Sequence, residues 1–278
     1  MILHRPLLYA AILSAAFSLG AEAGQVQPIV NDAPRPQIDV PPAGATPLVT
    51  AAADDPAWTS AAVIPLTTLS LSSAPPPAAP IPGTEVRLLW SPKWLYVRFL
   101  CKDDQPPYLP VHGPGAPIYR GDVVELFLDP IGDYREWMEL EFNATNDIFD
   151  QITLCTAEPK WDPSLCLTNE ICTREIWDFP DPSIKDLRSA AAPWQVNGQT
   201  IGWIVDVAIP ASSLTKRMGL KALQPTRMRG NFLRYKWIPQ PTGTKRDLMS
   251  LTWSPVPLYV PHRCPAGFGR INLSATHP

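Results

Sequence analysis

The sequence predicts a single-domain, all-β sandwich, and three observations carry that prediction. Apolar residues recur at every second position in several short runs, the pattern of half-buried strands. Turn-forming Pro, Asp and Gly separate these runs, and strand patterns do not alternate with helix patterns along the chain. The third is composition: 35 Pro against 15 Gly in 278 residues oppose long helices and suit turns and strand edges. About ten strands in roughly 230 residues sit at the large end of such single-domain folds.

The first 23 residues read as an export signal. Met1–Arg5 supplies a positive charge, Pro6–Leu19 is apolar, and Ala21-Glu22-Ala23 satisfies the small-residue cleavage rule. The apolar run is too short for a membrane anchor, and no later stretch is long enough to span a bilayer. The mature chain is therefore expected in a periplasm or outside the cell, where disulfides form. Residues 24–46 are rich in Pro and Ala, lack periodicity and read as a linker, so the domain is expected to span 47–278. Asp54-Asp55-Pro56-Ala57-Trp58 is a turn followed by an aromatic that can plug a sandwich end, and Val63–Leu66 is a short strand. Ser70–Pro82 is a Pro-rich surface loop of polyproline character.

Regular strands follow. Thr84–Trp90 and Trp94–Cys101 form a hairpin about Ser91-Pro92-Lys93, with Val97, Phe99 and Cys101 on one face. A long loop leads to the clearest strand, Tyr119–Pro130. There Val124, Leu126 and Leu128 form a core row, and Val123, Glu125, Phe127 and Asp129 form the other. Trp137–Asn143 returns with Met138, Leu140 and Phe142 in the core and Glu139 and Glu141 opposite. If the two core rows pair, Glu125, Glu139 and Glu141 share one face, where three carboxylates repel unless neutralised.

Strand patterning fades over 144–199, which reads as a Cys-containing insertion. Thr200–Pro210 is a strand, Ala211–Leu214 opens a short helix, and Leu248–Trp253 and Phe268–Leu273 close the sandwich. In Gly230–Trp237, the row Leu233, Tyr235, Trp237 is expected to face inward. Phe232, Arg234 and Lys236 would then face outward, with Arg234 placed to bridge the acidic row or to bind a ligand hydroxyl.

A net charge of −3 argues against a nucleic-acid partner, which calls for a basic face. Ten Trp residues are either core or platforms for sugar rings, whose C–H faces stack on aromatics. Cys101 lies in a core row and reads as a buried thiol. Cys155, Cys166, Cys172 and Cys264 are left as disulfide candidates in any of three connectivities. Export and the absence of close Cys-x-x-Cys spacing disfavour zinc.

In order, Asp55-Pro-Ala-Trp58, Val86–Trp90 with Leu95-Tyr96-Val97, Gly121–Pro130, Gly202–Pro210, Asn231–Arg234, Trp253-Ser-Pro255 and Phe268-Gly269 resemble family 9 of the carbohydrate-binding modules. This family is related to DOMON-type domains. The resemblance covers roughly residues 47–273 and rests on the ordered set. It implies a jelly-roll-like sandwich and non-catalytic binding of carbohydrate, as in accessory modules of xylan-degrading enzymes. Members clamp a terminal sugar between two Trp. The first clamp position is Tyr119 here and the second falls at or near His262. The strand acid is Glu125, and the family's amide and Arg fall near Glu139 and Glu141. The resemblance, together with the strand pattern that offers Arg234, assigns a carbohydrate site to Tyr119, Glu125, Arg234 and His262, with Glu139 and Glu141 beside them. Structural calcium also occurs in the family, and Asp103 and Asp129, with Asp104, Asp147 and Asp150, carry suitable oxygens.

Three other classes stay open. Paired carboxylates suit a glycoside hydrolase using Glu125 with Glu139 or Glu141. A haem or redox sandwich would need His262 with a Met or Lys, and without Cys-x-x-Cys-His the haem would not be covalent. An envelope domain making only protein contacts is the third.

Overall fold

The computed structural model of the chain describes residues 35–276, except 73–76, 78, 81, 114, 156–175 and 181–183. The export signal, part of the Pro-rich loop, Cys166 and Cys172 lie outside the described residues. Two sheets face each other. The nine-stranded sheet runs β1 (Gln37–Val40), β14 (Gly269–Leu273), β12 (Thr226–Pro239), β6 (Val123–Asp129), β7 (Glu136–Asn143), β8 (Ile148–Cys155) and β9 (Ile176–Pro180). The far half of β12 pairs with β13 (Arg246–Thr252), which pairs in turn with β3 (Thr68–Leu69). The five-stranded sheet runs β10 (Arg188–Val196), β11 (Gln199–Pro210), β5 (Trp94–Lys102), β4 (Thr84–Ser91) and β2 (Ala62–Pro65). Among the described residues, the β1–β14 pair is the only parallel one within the sheets; the other strand pairs are antiparallel. The protein is an all-β sandwich, as the alternating rows predict.

The core between the sheets comes from those rows. Val124, Leu126 and Leu128 of β6 and Met138, Leu140 and Phe142 of β7 meet Val97, Phe99 and Cys101 of β5 and Val205 and Val207 of β11. Cys101 is the buried, unpaired thiol expected from its row; burial pushes its pKa up to about 12. The outer face of the nine-stranded sheet is also buried. Val123, Phe127, Leu233, Tyr235, Trp137 and Phe268 form a second apolar cluster there, which includes Cys155 and Cys264. Both sulfurs thus belong to one cluster, and burial raises the Cys264 thiol to about 12.

Three expectations change. Gln37–Val40, read as linker, is β1, and Val40 is fully buried. The region 144–199, read as an insertion, contributes β8, β9 and β10 to the two sheets. Its pattern is weak because β9 and β10 are edge strands, and β10 carries the small run Ala190-Ala-Ala192. An edge strand does not require a strict apolar row.

The third change is the orientation of β12. Phe232 and Arg234 face the core between the sheets, while Leu233 and Tyr235 face the outer cluster. A strand carrying Arg and Lys reads as charge-out because an unpaired buried charge is costly. Here both cations find partners. Arg234 Nη2 donates to Asp103 Oδ2 at 2.7 Å, and its Nη1 donates to Thr84 Oγ1 and to the Lys102 carbonyl, each at 2.9 Å. Lys236 Nζ donates to Asp103 at 2.8 Å and to Asp122 at 2.9 Å. This ladder ties β12 to β4 and β5 across the sandwich.

Candidate functional site

On the outer face of the nine-stranded sheet a cleft of about 420 Å³ opens beside the second apolar cluster. The β6–β7 hairpin supplies its floor. Register places Glu125 directly opposite Glu141, and Phe127 opposite Glu139. The side-chain period of two then puts all three carboxyls on one face, as the paired core rows predict. One strand further, Gln151 of β8 lies opposite Glu139, and its amide donates to Glu139 Oε2.

The walls come from loops and from β12. Tyr119, in the turn before β6, meets Phe149 of β8 edge to face at 5.9 Å between ring centres. The Trp237 indole N–H donates to the Tyr119 carbonyl at 3.3 Å. The Tyr235 hydroxyl donates to the Leu258 carbonyl at 3.0 Å, holding the 256–262 loop over the sheet. On that loop Tyr259 is 65% exposed and His262 also lines the cleft. The Trp137 indole N–H fixes the loop by donating to the His262 carbonyl at 2.7 Å.

The electrostatics of the floor are unusual. Glu125 is 1% exposed and Glu141 2%. Burial pushes both carboxyls well above the ordinary carboxylate range. The charge of Glu139 adds to the rise at Glu125, and those of Glu125 and Glu139 add to it at Glu141. A hydrogen bond from the Tyr119 backbone works the other way at Glu141. The same acids, after burial, raise the Tyr235 phenol. One oxygen of Glu125 and one of Glu141, Oε2 in each, are buried without a hydrogen-bond partner. Such atoms each cost about 1–3 kcal/mol unless a ligand or water meets them. The cleft thus presents acid groups able to donate or accept, set among aromatic faces.

Five of the six residues assigned from the sequence line this cleft: Tyr119, Glu125, Glu139, Glu141 and His262. Arg234 does not. It is fully buried on the opposite face of the sheet, paired with Asp103. Asp103 and Asp129 fit a calcium site poorly. Asp103 already meets two cations. Asp129 accepts the backbone N–H groups of Gly132 at 2.7 Å and Tyr134 at 2.8 Å, closing the β6–β7 turn. Asp147 is bound by Asn143, Thr145 and the Gly113 N–H, and Asp150 by the Ile184 N–H. Sequence reasoning missed Phe149, Gln151, Trp237 and Tyr259. For Phe149 and Gln151 a signal was present, the alternation Phe149, Gln151, Thr153, Cys155 within the region read as an insertion.

The fold has solved counterparts. A candidate carbohydrate-binding protein from Bacteroides uniformis superposes with a TM-score of 0.61 at 16% identity, covering 87% of this chain and 100% of its own. A family-9 carbohydrate-binding module from Caldicellulosiruptor kristjanssonii, solved with cellotriose, superposes at 0.54 and 16% identity, covering 86% and 94%. The fold is that of a family-9 carbohydrate-binding module. No protein-family model and no curated protein matches the sequence, so the likeness to family 9 is carried by structure.

Proposed function

We propose that the cleft binds a carbohydrate and does not turn it over. The observation that carries this reading is the pair of partnerless, buried carboxyl oxygens of Glu125 and Glu141 in a cleft walled by Tyr119, Phe149 and Trp237. Sugar rings offer both complements: hydroxyls for buried acids and C–H faces for aromatics. The family-9 fold supports the same reading, as does the module solved with cellotriose. Tyr119 and His262 flank the ring in this reading, and Glu125 and Glu141 hold its hydroxyls. The signal-like N-terminus supports export, and a plant-type polysaccharide is the first class to probe.

Calorimetric titration of residues 24–278 with cello- and xylo-oligosaccharides tests the proposal, run with calcium and with chelator. Binding is expected, and Tyr119→Ala should weaken it about tenfold. Tyr119 is 39% exposed, so that substitution should leave the melting temperature nearly unchanged. Absence of heat with every sugar, from a folded protein, would reject the proposal. Sugar release from xylan that is lost in Glu125→Gln would replace binding with hydrolysis.

A further inference from the structure

The molecule deals with its buried acids in one consistent way, and the cleft departs from it. Asp206 is met by Arg98 Nε at 2.7 Å and Nη2 at 2.9 Å, and by the Ala51 N–H at 2.8 Å. Asp103 and Asp122 are met by Arg234 and Lys236. Asp129 is met by two backbone N–H groups. Glu125 and Glu141 are equally buried, yet each keeps a buried oxygen with no hydrogen-bond partner, and both side chains line the cleft. Among the described residues, a buried acid oxygen lacks a partner only in these two side chains at the cleft.

We infer that the cleft selects a sugar bearing a free ammonium group, an amino sugar such as a glucosamine unit. This rests on the carbohydrate reading above and narrows it. An ammonium brings three N–H donors and a positive charge to a floor of three acids. A neutral hydroxyl brings one donor and no charge. The walls favour the same ligand: the faces of Tyr119, Trp237 and Tyr259 attract cations as well as C–H bonds. Uronic acids and sulfated sugars bring a negative charge and no ammonium donor, and would oppose ionisation of the floor acids.

The charged and titratable groups around the floor are consistent with this. From β7 come Glu139 and Glu141, from β12 Tyr235, from the 118–120 turn Tyr119 and Arg120, and from the 256–262 loop Tyr259 and His262. Arg120 is exposed at the rim, and neither it nor His262 hydrogen-bonds the two partnerless oxygens. Because burial and mutual repulsion hold protons on Glu125 and Glu141, an entering ammonium takes the place of a proton. Binding should therefore release protons and strengthen as pH rises above the ordinary glutamate range.

The test titrates the full mature chain, checked as folded by circular dichroism, with the trimers of glucosamine, N-acetylglucosamine and glucose. Each titration is run in two buffers of different ionisation enthalpy. The expected result is at least tenfold tighter binding of the glucosamine trimer, with proton release. That preference should collapse toward parity in Glu125→Gln and, separately, in Glu141→Gln. Equal or tighter binding of the glucose trimer overturns the inference and leaves the carbohydrate reading standing. Failure of all three trimers overturns the inference, and failure of the cello- and xylo-oligosaccharides as well overturns the carbohydrate reading. Binding of cyclohexylamine as tight as the glucosamine trimer also overturns the inference, since it would show an amine site that does not read sugar.

Discussion

Glu125 is buried at a cost in stability, because one of its carboxyl oxygens has no hydrogen-bond partner. Its folded pKa lies well above the ordinary value of about 4.3 for an unfolded glutamate. Between those two values the native state keeps a proton that the unfolded state has released. Stability therefore falls as pH rises from about 4.3 through the raised folded value, and is flat above it. Glu141 has the same sign. Glu125→Gln removes one such group at nearly constant shape. At pH 4 the variant should match the parent. At pH 8 it should be more stable by about 1–3 kcal/mol, the scale of one unmet buried polar group. Thermal melts from pH 4 to pH 9 would show the gap opening, and a pH-independent difference would contradict the assignment. Tyr119 works the other way: it is a half-open aromatic whose loss should register in affinity rather than stability.

At the scale of the strand, β12 joins the two sheets through charge. Its inner row of Phe232, Arg234 and Lys236 spans apolar core and ion ladder in consecutive inward positions. The ladder holds four groups, two acids and two bases. Removing one base leaves an acid buried and underpaired, which costs about 3–5 kcal/mol. Arg234→Ala is expected to lose stability on that scale in urea unfolding while leaving the cleft's lining residues in place. A loss below about 1 kcal/mol would mean that water enters and replaces the guanidinium. The acid-bearing hairpin is simpler: Asp129 closes its turn, and a one-residue slip between β6 and β7 would turn the Glu row into the core.

The whole molecule is a sandwich whose larger sheet is covered on both faces. One face packs on the five-stranded sheet; the other carries the second apolar cluster and the cleft, under the 256–268 segment. Its edge is closed by β1, which pairs in parallel with β14 from Gln37 opposite Arg270 to Val40 opposite Leu273. A chain beginning at Pro47 would lose that strand and the buried Val40, and would expose the β14 edge. Its melting temperature should fall below that of residues 24–278. Equal melting temperatures would return residues 37–46 to the role of linker. A monomer that associates after truncation would fit an opened edge.

Much of this was legible along the chain. The all-β class, the β4–β5 and β6–β7 hairpins and the shared face of Glu125, Glu139 and Glu141 follow from period-two rows, because alternation is a local property and matched core rows set the register. Tyr119 and His262 were placed by the order of family-like pieces, and both reach the cleft. The edge strands β1, β9 and β10 escaped, since an edge does not need a full apolar row; β8, between β7 and β9, escaped with the region read as an insertion, and Phe149 and Gln151 with it. The direction of β12 was hidden for a deeper reason. Whether Arg234 can be buried depends on Asp103, 131 positions away in the chain, and Lys236 needs both Asp103 and Asp122. The cost of burying a charge is set by its partners in space, and those partners meet only when the two sheets close.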